Sequence, residues 1–532
     1  SGADSISVGN ADTVFVGSVD LSQADKGTPN NQTQIIGSKD FTDTLAIQIT
    51  SGSSTGGTTQ KLDDTNFKKI VDTNKVKDVE NLTLSTGNVE VDLTLENTNG
   101  NFQNEVTIAG SGTTKLQVKQ DTQKISLGSG SGDVTVSGAS VGDLNLGGGQ
   151  NTLKVENSGK IGEVTGSDSK DTITISGSGS VDKITTNGGA DEIKLENAGT
   201  LKTLEASSGN GTDTVTISGS GSISNITGEG KVKIADQTTL NNTLDIGSYK
   251  AELTISGGSA NVKNLLADNN QIKLEANSQI EKLQIKDGGN VSVSGSGSIT
   301  FDTTNDTGTH TLTVGQDTTL KTFTAGSGDD TITIANGGKL SGDKIGLTNG
   351  NNTLNIASGG NVTNLTTITT GNGTNKITID KDATASQLAT INLGNGTNTL
   401  DLSVSGATNG ITVSGGSGTD NINLSGANGK ITTLNAGANS TNISLKANDN
   451  TITTINANDK GSTINIASGS GTITTIEGKS GADSISVGKN ITISEIKTGT
   501  GAISIDGEGT ISKVTVSQNA SGDISIGNGT KT

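Results

Sequence analysis

The chain has 532 residues and a formal net charge of −18; 28% of residues are hydrophobic and 1% aromatic, with 77 Gly and no Cys, Met or Trp. Without Cys there is neither a disulfide framework nor a thiolate metal site, and with an acidic balance in which every basic residue is Lys, a nucleic-acid backbone is an unfavourable partner. No apolar run approaches the ~18 residues of a membrane span, yet Ile, Val and Leu alternate with Thr and Ser, which is strand chemistry rather than disorder.

The chain opens on "SGADSISVG", Ser1 to Gly9, and the same nine letters return as Ser480 to Gly488. The residues after the two copies diverge at once, so the repeated object is short. No initiator Met or signal peptide precedes the first copy, and a mature product, a fragment, or export by a route that reads another signal is expected. Residues 1–100 form a less regular, β-rich N-terminal region. Pro29 and the aromatics Phe15, Phe41, Phe67 and Phe102 fall in or beside it. Within it "LDDTNFKKIVDT" has the apolar spacing and leading acids of a short helix over Asp64 to Val71, with a loop between strands as the competing reading.

From residue 101 to 532 the sequence reads as a repetitive solenoid. The pattern G-x-[DN]-x-Φ-x-Φ, with Φ apolar, returns at Asp171, Asp191, Asp213, Asp330, Asn352, Asn375, Asn398 and Asp420, about 20 to 23 residues apart. Between about Thr227 and Thr322 the pattern drifts while strand and turn alternation persists. Each period holds a second apolar segment after a small-residue turn, as "SGSGSVDKIT" follows "DTITI". Ile173 and Ile175 then point inward, Thr172 and Thr174 outward, and Val181 with Ile184 cover the inward pair from the opposite wall.

One such unit buries only four or five aliphatics, too few to order about 22 residues alone, so the units must stack. The expected fold is all-β: a parallel β-helix or β-roll-like solenoid with 20 to 23 residues per coil and about 18 to 22 coils. A β-sandwich is the competing architecture, but its hairpins do not require a fixed register of Gly and Asx.

Three stretches resemble the glycine-rich nonapeptide G-G-x-G-x-D-x-U-x of RTX proteins: "GGSGTDNIN" (Gly415 to Asn423) in full, "AGSGDDTIT" (Ala325 to Thr333) and "SGNGTDTVT" (Ser208 to Thr216) apart from the first Gly. "DTLAIQIT" at Asp43, with "KVKDVENLTLSTG" around Val79 and Glu80 after it, resembles the strand arrangement of RTX-type surface-layer proteins. The resemblance implies Ca2+ held in turns at Asp213, Asp330, Asp420 and Asp483, and folding after type I secretion. It departs from the family in returning once per coil rather than every nine residues, and in placing Asn at Asn151, Asn352, Asn375 and Asn398. An amide is a weaker calcium ligand than a carboxylate, and the alternative reading is that these Asx residues close turns and stack as hydrogen-bonded ladders.

Catalysis is not expected. His310, in "GTHTLTV", is the single His and is expected to face solvent from its place in the alternation. The acid pairs Asp63 with Asp64 and Asp329 with Asp330 stand beside turn or helix-start signals, where Asp is expected structurally. The composition and the resemblance together point to an extracellular protein of the bacterial surface. Two functions fit: a rod that assembles with copies of itself into a surface layer or filament, end to end through its terminal coils, or an adhesin stalk acting as a spacer. Copies of itself and cell-surface polysaccharide are the partners implied, with no membrane span.

Overall fold

The computed structural model describes residues 5–7, 13–20, 34–36, 42–50, 61–70, 76–96 and 101–527, the last range apart from 208, 210, 304–305, 404–409, 427–428 and 447–449. It is nearly all β, with about 1% helix, and its strands pair in parallel into a β-solenoid of about 20 turns. The chain divides into two units, Ser1–Lys263 and Asn264–Thr532.

In the first unit the helix Asp64–Ile70 takes up the stretch expected to be helical. Asp63 caps it, its Oδ1 accepting the Asn66 N–H at 2.8 Å, while Asp64 Oδ1 accepts the Thr94 N–H at 2.8 Å. Asp63 thus does what a helix start asks of it, and Asp64 ties the helix to the strand Glu90–Leu95. Beyond the helix each coil contributes two strands. Thr152–Glu156, Thr172–Ile175, Glu192–Leu195 and Asp213–Ile217 lie over one another on one wall. Lys160–Thr165, Ser180–Thr185 and Thr200–Ala206 form the other.

The two walls obey different periods. On the first, Ile173 and Ile175 are buried two residues apart, as strict alternation requires. On the second, Val181 and Ile184 are buried three apart, with Asp182 and Lys183 both turned outward. The extra outward residue breaks the alternation of this strand. The turn between walls is left-handed first at Asn157, Gly177, Asn197 and Gly219, with φ of 50°, 52°, 45° and 58°, and in three of these coils also at the next residue, Ser158, Ser178 or Ala198. Asn and Gly are the residues that adopt this conformation at least cost, so their alternation in the sequence records one geometric demand.

The drifting stretch is where this unit changes. Ser222–Ile234 and Thr239–Ile255 run as long continuous strands, and Gly230 stands in the position that Asp213 holds one coil earlier. A Cβ on Gly230 would lie 2.2 Å from the Tyr249 hydroxyl oxygen, so the buried tyrosine requires glycine there. Burial, with the charge of Asp213, raises the Tyr249 pKa.

In the second unit Thr311–Val314, Thr331–Ile334, Thr353–Ile356, Lys376–Ile379, Asn398–Leu402 and Thr419–Leu424 stack in register. Leu312, Ile332, Leu354, Ile377, Leu400 and Ile422 form one continuous column of core side chains. On the opposite wall Phe301 and Phe323 stack with ring centroids 5.5 Å apart. No helix among the described residues is long and apolar enough to cross a membrane.

Candidate functional site

The Asx residues that mark the repeat form a buried ladder at the start of one wall. In a parallel coil the first residue of the strand has its C=O taken by the next coil, as when the Thr172 N–H bonds Asn151 O at 2.8 Å. Its own N–H has no backbone acceptor and needs another partner. The side chain of the next coil supplies it: the N–H groups of Gly132, Asn151, Asp171 and Asp191 donate to Oδ1 of Asn151, Asp171, Asp191 and Asp213 at 2.7, 3.0, 2.6 and 3.0 Å. Over these coils each rung thereby caps the one before it.

The second unit repeats the device with amides. Asp330 N–H donates to Asn352 Oδ1 at 2.9 Å and Asn352 N–H to Asn375 Oδ1 at 3.2 Å. The amide of Asn375 donates to Asn398 Oδ1 at 3.0 Å, and that of Asn398 to Asp420 Oδ1 at 2.9 Å. An amide also donates back into its own turn, as Asn398 Nδ2 does to Gly394 O at 2.8 Å. A carboxylate cannot do this.

The four residues proposed for calcium all occupy this ladder and are buried. They are not brought together. Asp213 receives the Asp191 N–H and the Thr186 hydroxyl, Asp330 faces His310, Asp420 receives the Asn398 amide, and Asp483 receives the Ser462 N–H at 2.9 Å. Calcium takes six to eight oxygens; each of these carboxylates meets a hydrogen-bond partner through at least one oxygen, while Asp330 Oδ2 and Asp420 Oδ2 are buried with none. Among the described residues none belongs to a group of three or more His, Asp or Glu placed to hold a metal.

Burial has electrostatic consequences. It pushes Asp191 up to about 7, with the charges of Asp213 and Asp171 adding to it against the N–H of Asp171. Burial pushes Asp420 up to about 6 against the Asn398 amide, and raises Asp213 and Asp483 as well. Asp191 Oδ2 is buried with no hydrogen-bond partner, a placement that favours the neutral acid.

His310 does not face solvent. It is 1% exposed and holds the ladder position one coil before Asp330, with Nδ1 2.8 Å from Asp330 Oδ1 and Nε2 3.2 Å from Asp306 Oδ2. The outward positions of that strand are Thr311 and Thr313, so His310 precedes the alternation rather than joining it. Burial opposes its charge, but the hydrogen bond and charge of Asp330, with the charge of Asp306, outweigh it and raise its pKa. Aligning "HTLTV" with "DTITI" places His310 on the rung that Asp or Asn fills elsewhere. The acid pairs are likewise divided: Asp329 Oδ1 accepts the Asn351 N–H at 2.7 Å on the outside of the turn, while Asp330 lies within.

Outward faces differ between the units. On the second wall of the first unit, Lys183 bridges Glu163 and Glu205 at 3.3 and 3.0 Å. On the corresponding wall of the second unit, register aligns Thr367, Thr390, Thr412, Thr433 and Thr454 in one rank and Thr369, Asn392, Ser414, Asn435 and Asn456 in the next. All ten side chains are neutral, all carry hydrogen-bonding groups, and none is buried.

Compared with known protein families, curated proteins and solved structures, the chain matches none.

Proposed function

We propose that this chain is a secreted structural protein of the bacterial surface that assembles with copies of itself into a surface layer or filament. A β-solenoid is compatible with a structural, surface or spacer role, and the two uncharged ranks from Thr367 to Asn456, with the exposed Lys430 at their edge, are the observation that favours assembly. Two copies of net charge −18 repel each other. They approach at least cost where charges are absent, and ten outward positions over five coils are Thr, Ser or Asn. Such a face is its own complement, because each hydroxyl or amide both donates and accepts and both copies share the ~4.8 Å coil spacing.

Five coils of a four-residue strand present roughly 300 Å², well below the ~800 Å² per partner of a stable pairwise interface. A single contact of this kind is weak, and assembly depends on its repetition together with a second contact. Val516 and Ile526, 54% and 45% exposed, are the exposed large apolar side chains among the described residues, and they support the coil around Ile524–Ile526 as that second contact.

Negative-stain microscopy and light scattering on the purified chain test the reading. Ordered assemblies that grow with concentration are expected, together with their loss in a Thr412→Lys/Thr433→Lys variant that still shows a β-rich circular dichroism spectrum. Monomers at every concentration, in calcium and in chelator alike, would overturn it in favour of a spacer.

A further inference from the structure

We infer that the first wall of the second unit carries a binding trough for a neutral, extended glycan chain. This inference stands independently of self-assembly, since it concerns a different face. The trough, about 460 Å³, is lined by Asn421, Asn423, Asn442, Ser444, Asn465 and Ser486. Register places Asn421, Asn442, Asn465 and Ser486 in one rank over four successive coils.

The amides are held before any ligand arrives. Asn442 Nδ2 donates to Asn421 Oδ1 at 2.8 Å, and Asn465 Nδ2 donates to Asn442 Oδ1 at 2.8 Å. An amide has two N–H groups and two carbonyl lone pairs. Asn442 Oδ1 also accepts the Ser440 hydroxyl at 3.4 Å and Asn465 Nδ2 also donates to Ser440 Oγ at 3.3 Å, so Asn442 keeps one N–H and Asn465 keeps its carbonyl oxygen for a ligand. Orienting these groups costs no further side-chain entropy on binding. A donor on the Asn442 rung beside an acceptor on the Asn465 rung matches sugar hydroxyls, which also donate and accept.

Charge narrows the ligand class. Every lining side chain is uncharged, and carboxylates flank both ends: Asp401 accepts from Asn423 Nδ2 at 2.7 Å, and Asp506 pairs in register with Ser486. Anionic polysaccharides are therefore disfavoured and neutral ones admitted. The spacing narrows it further. Two coils span about 9.6 Å, close to the length of one extended β-linked disaccharide, so alternate rungs meet equivalent faces of successive disaccharides. No aromatic side chain lines the trough, so affinity for a short oligosaccharide is low and grows with polymer length through repeated contacts.

Affinity electrophoresis of the full chain, run dilute in native gels containing hydroxyethylcellulose, glycol chitin or alginate, tests this. Retardation is expected in at least one of the two neutral β-linked polymers and not in alginate. It should weaken at least tenfold in Asn442→Ala/Asn465→Ala and in Asn442→Thr/Asn465→Thr, the latter keeping strand propensity while removing the amides. Thr412→Lys/Thr433→Lys, on the other wall, should retain binding even where assembly is lost, which separates this inference from the assembly reading. No retardation in either neutral polymer, retardation in alginate alone, or retardation that both Asn442/Asn465 variants preserve would overturn it.

Discussion

Two stretches of the same ladder, Asn151 to Asp213 and Asn352 to Asn398, have one geometry and different chemistry. In both, a side-chain oxygen of one coil receives an N–H from the coil before it. In the first, three consecutive carboxyls are buried against one another, and Asp191 is pushed up to about 7. In the second the acceptors are amides, which return a donor to the turn and carry no charge. The position therefore selects for an acceptor oxygen on a short side chain. Negative charge is tolerated there at a cost, and the cost depends on pH.

Removing the acceptor altogether should have the largest effect. Asn375→Leu leaves the buried Asn352 N–H without its partner and removes the donor to Asn398; a loss of about 2–4 kcal/mol is expected in urea denaturation. Asn375→Asp, which writes the acidic stretch into the amide stretch, should cost less and should cost least at low pH.

The next effect runs the other way. Folding raises the Asp191 pKa from 3.8 to about 7, so the folded chain holds that proton more tightly than the unfolded one. The corresponding stability is fully present below pH ~4 and is lost as pH rises through about 7. Asp191→Asn keeps the acceptor and discards the charge. It should stabilise the chain at pH 8 by about 1–2 kcal/mol, with little change at pH 4, as read from thermal melting across that range.

His310 offers a smaller test of the same idea. Its pKa is raised by Asp330 and Asp306, so its contribution is present below the ordinary histidine pKa of ~6.5 and is lost as pH rises through the folded value. His310→Asn, which restores an amide to the ladder, should flatten that part of the profile by no more than about 1 kcal/mol. Smallest of all, Thr454→Ala on the neutral outer face should leave melting within about 0.5 kcal/mol of the parent while lowering the assembled fraction in light scattering.

The first wall was legible because Ile173, Ile175 and the Asx before them recur at one spacing, and period-two alternation has a single structural reading. The Asx residues were readable as ladder rungs for the same reason, but the direction of their hydrogen bonds was not. His310 escaped because a pattern written as Asp or Asn excludes a third side chain able to meet the same carboxylate. The second wall hid its alignment: two consecutive outward residues, as at Asp182 and Lys183, break the alternation, and coil length varies, from the step Thr492 to Thr510 to the longer step Thr367 to Thr390. The neutral face therefore emerges only when register sets Thr367, Thr390, Thr412, Thr433 and Thr454 side by side. The first copy of "SGADSISVG" has its corner Asp4 outside the described residues; in the second, Asp483 is a buried rung and Ile485 and Val487 belong to the core.

The most direct test of the ladder is thermal melting of the parent chain and Asp191→Asn at pH 5 and pH 8, each with calcium and with chelator. The hydrogen-bonded ladder predicts that the parent is more stable at pH 5 than at pH 8, that Asp191→Asn narrows the difference from above, and that calcium changes neither. A calcium-dependent rise in melting temperature at pH 8 that Asp191→Asn abolishes would contradict it.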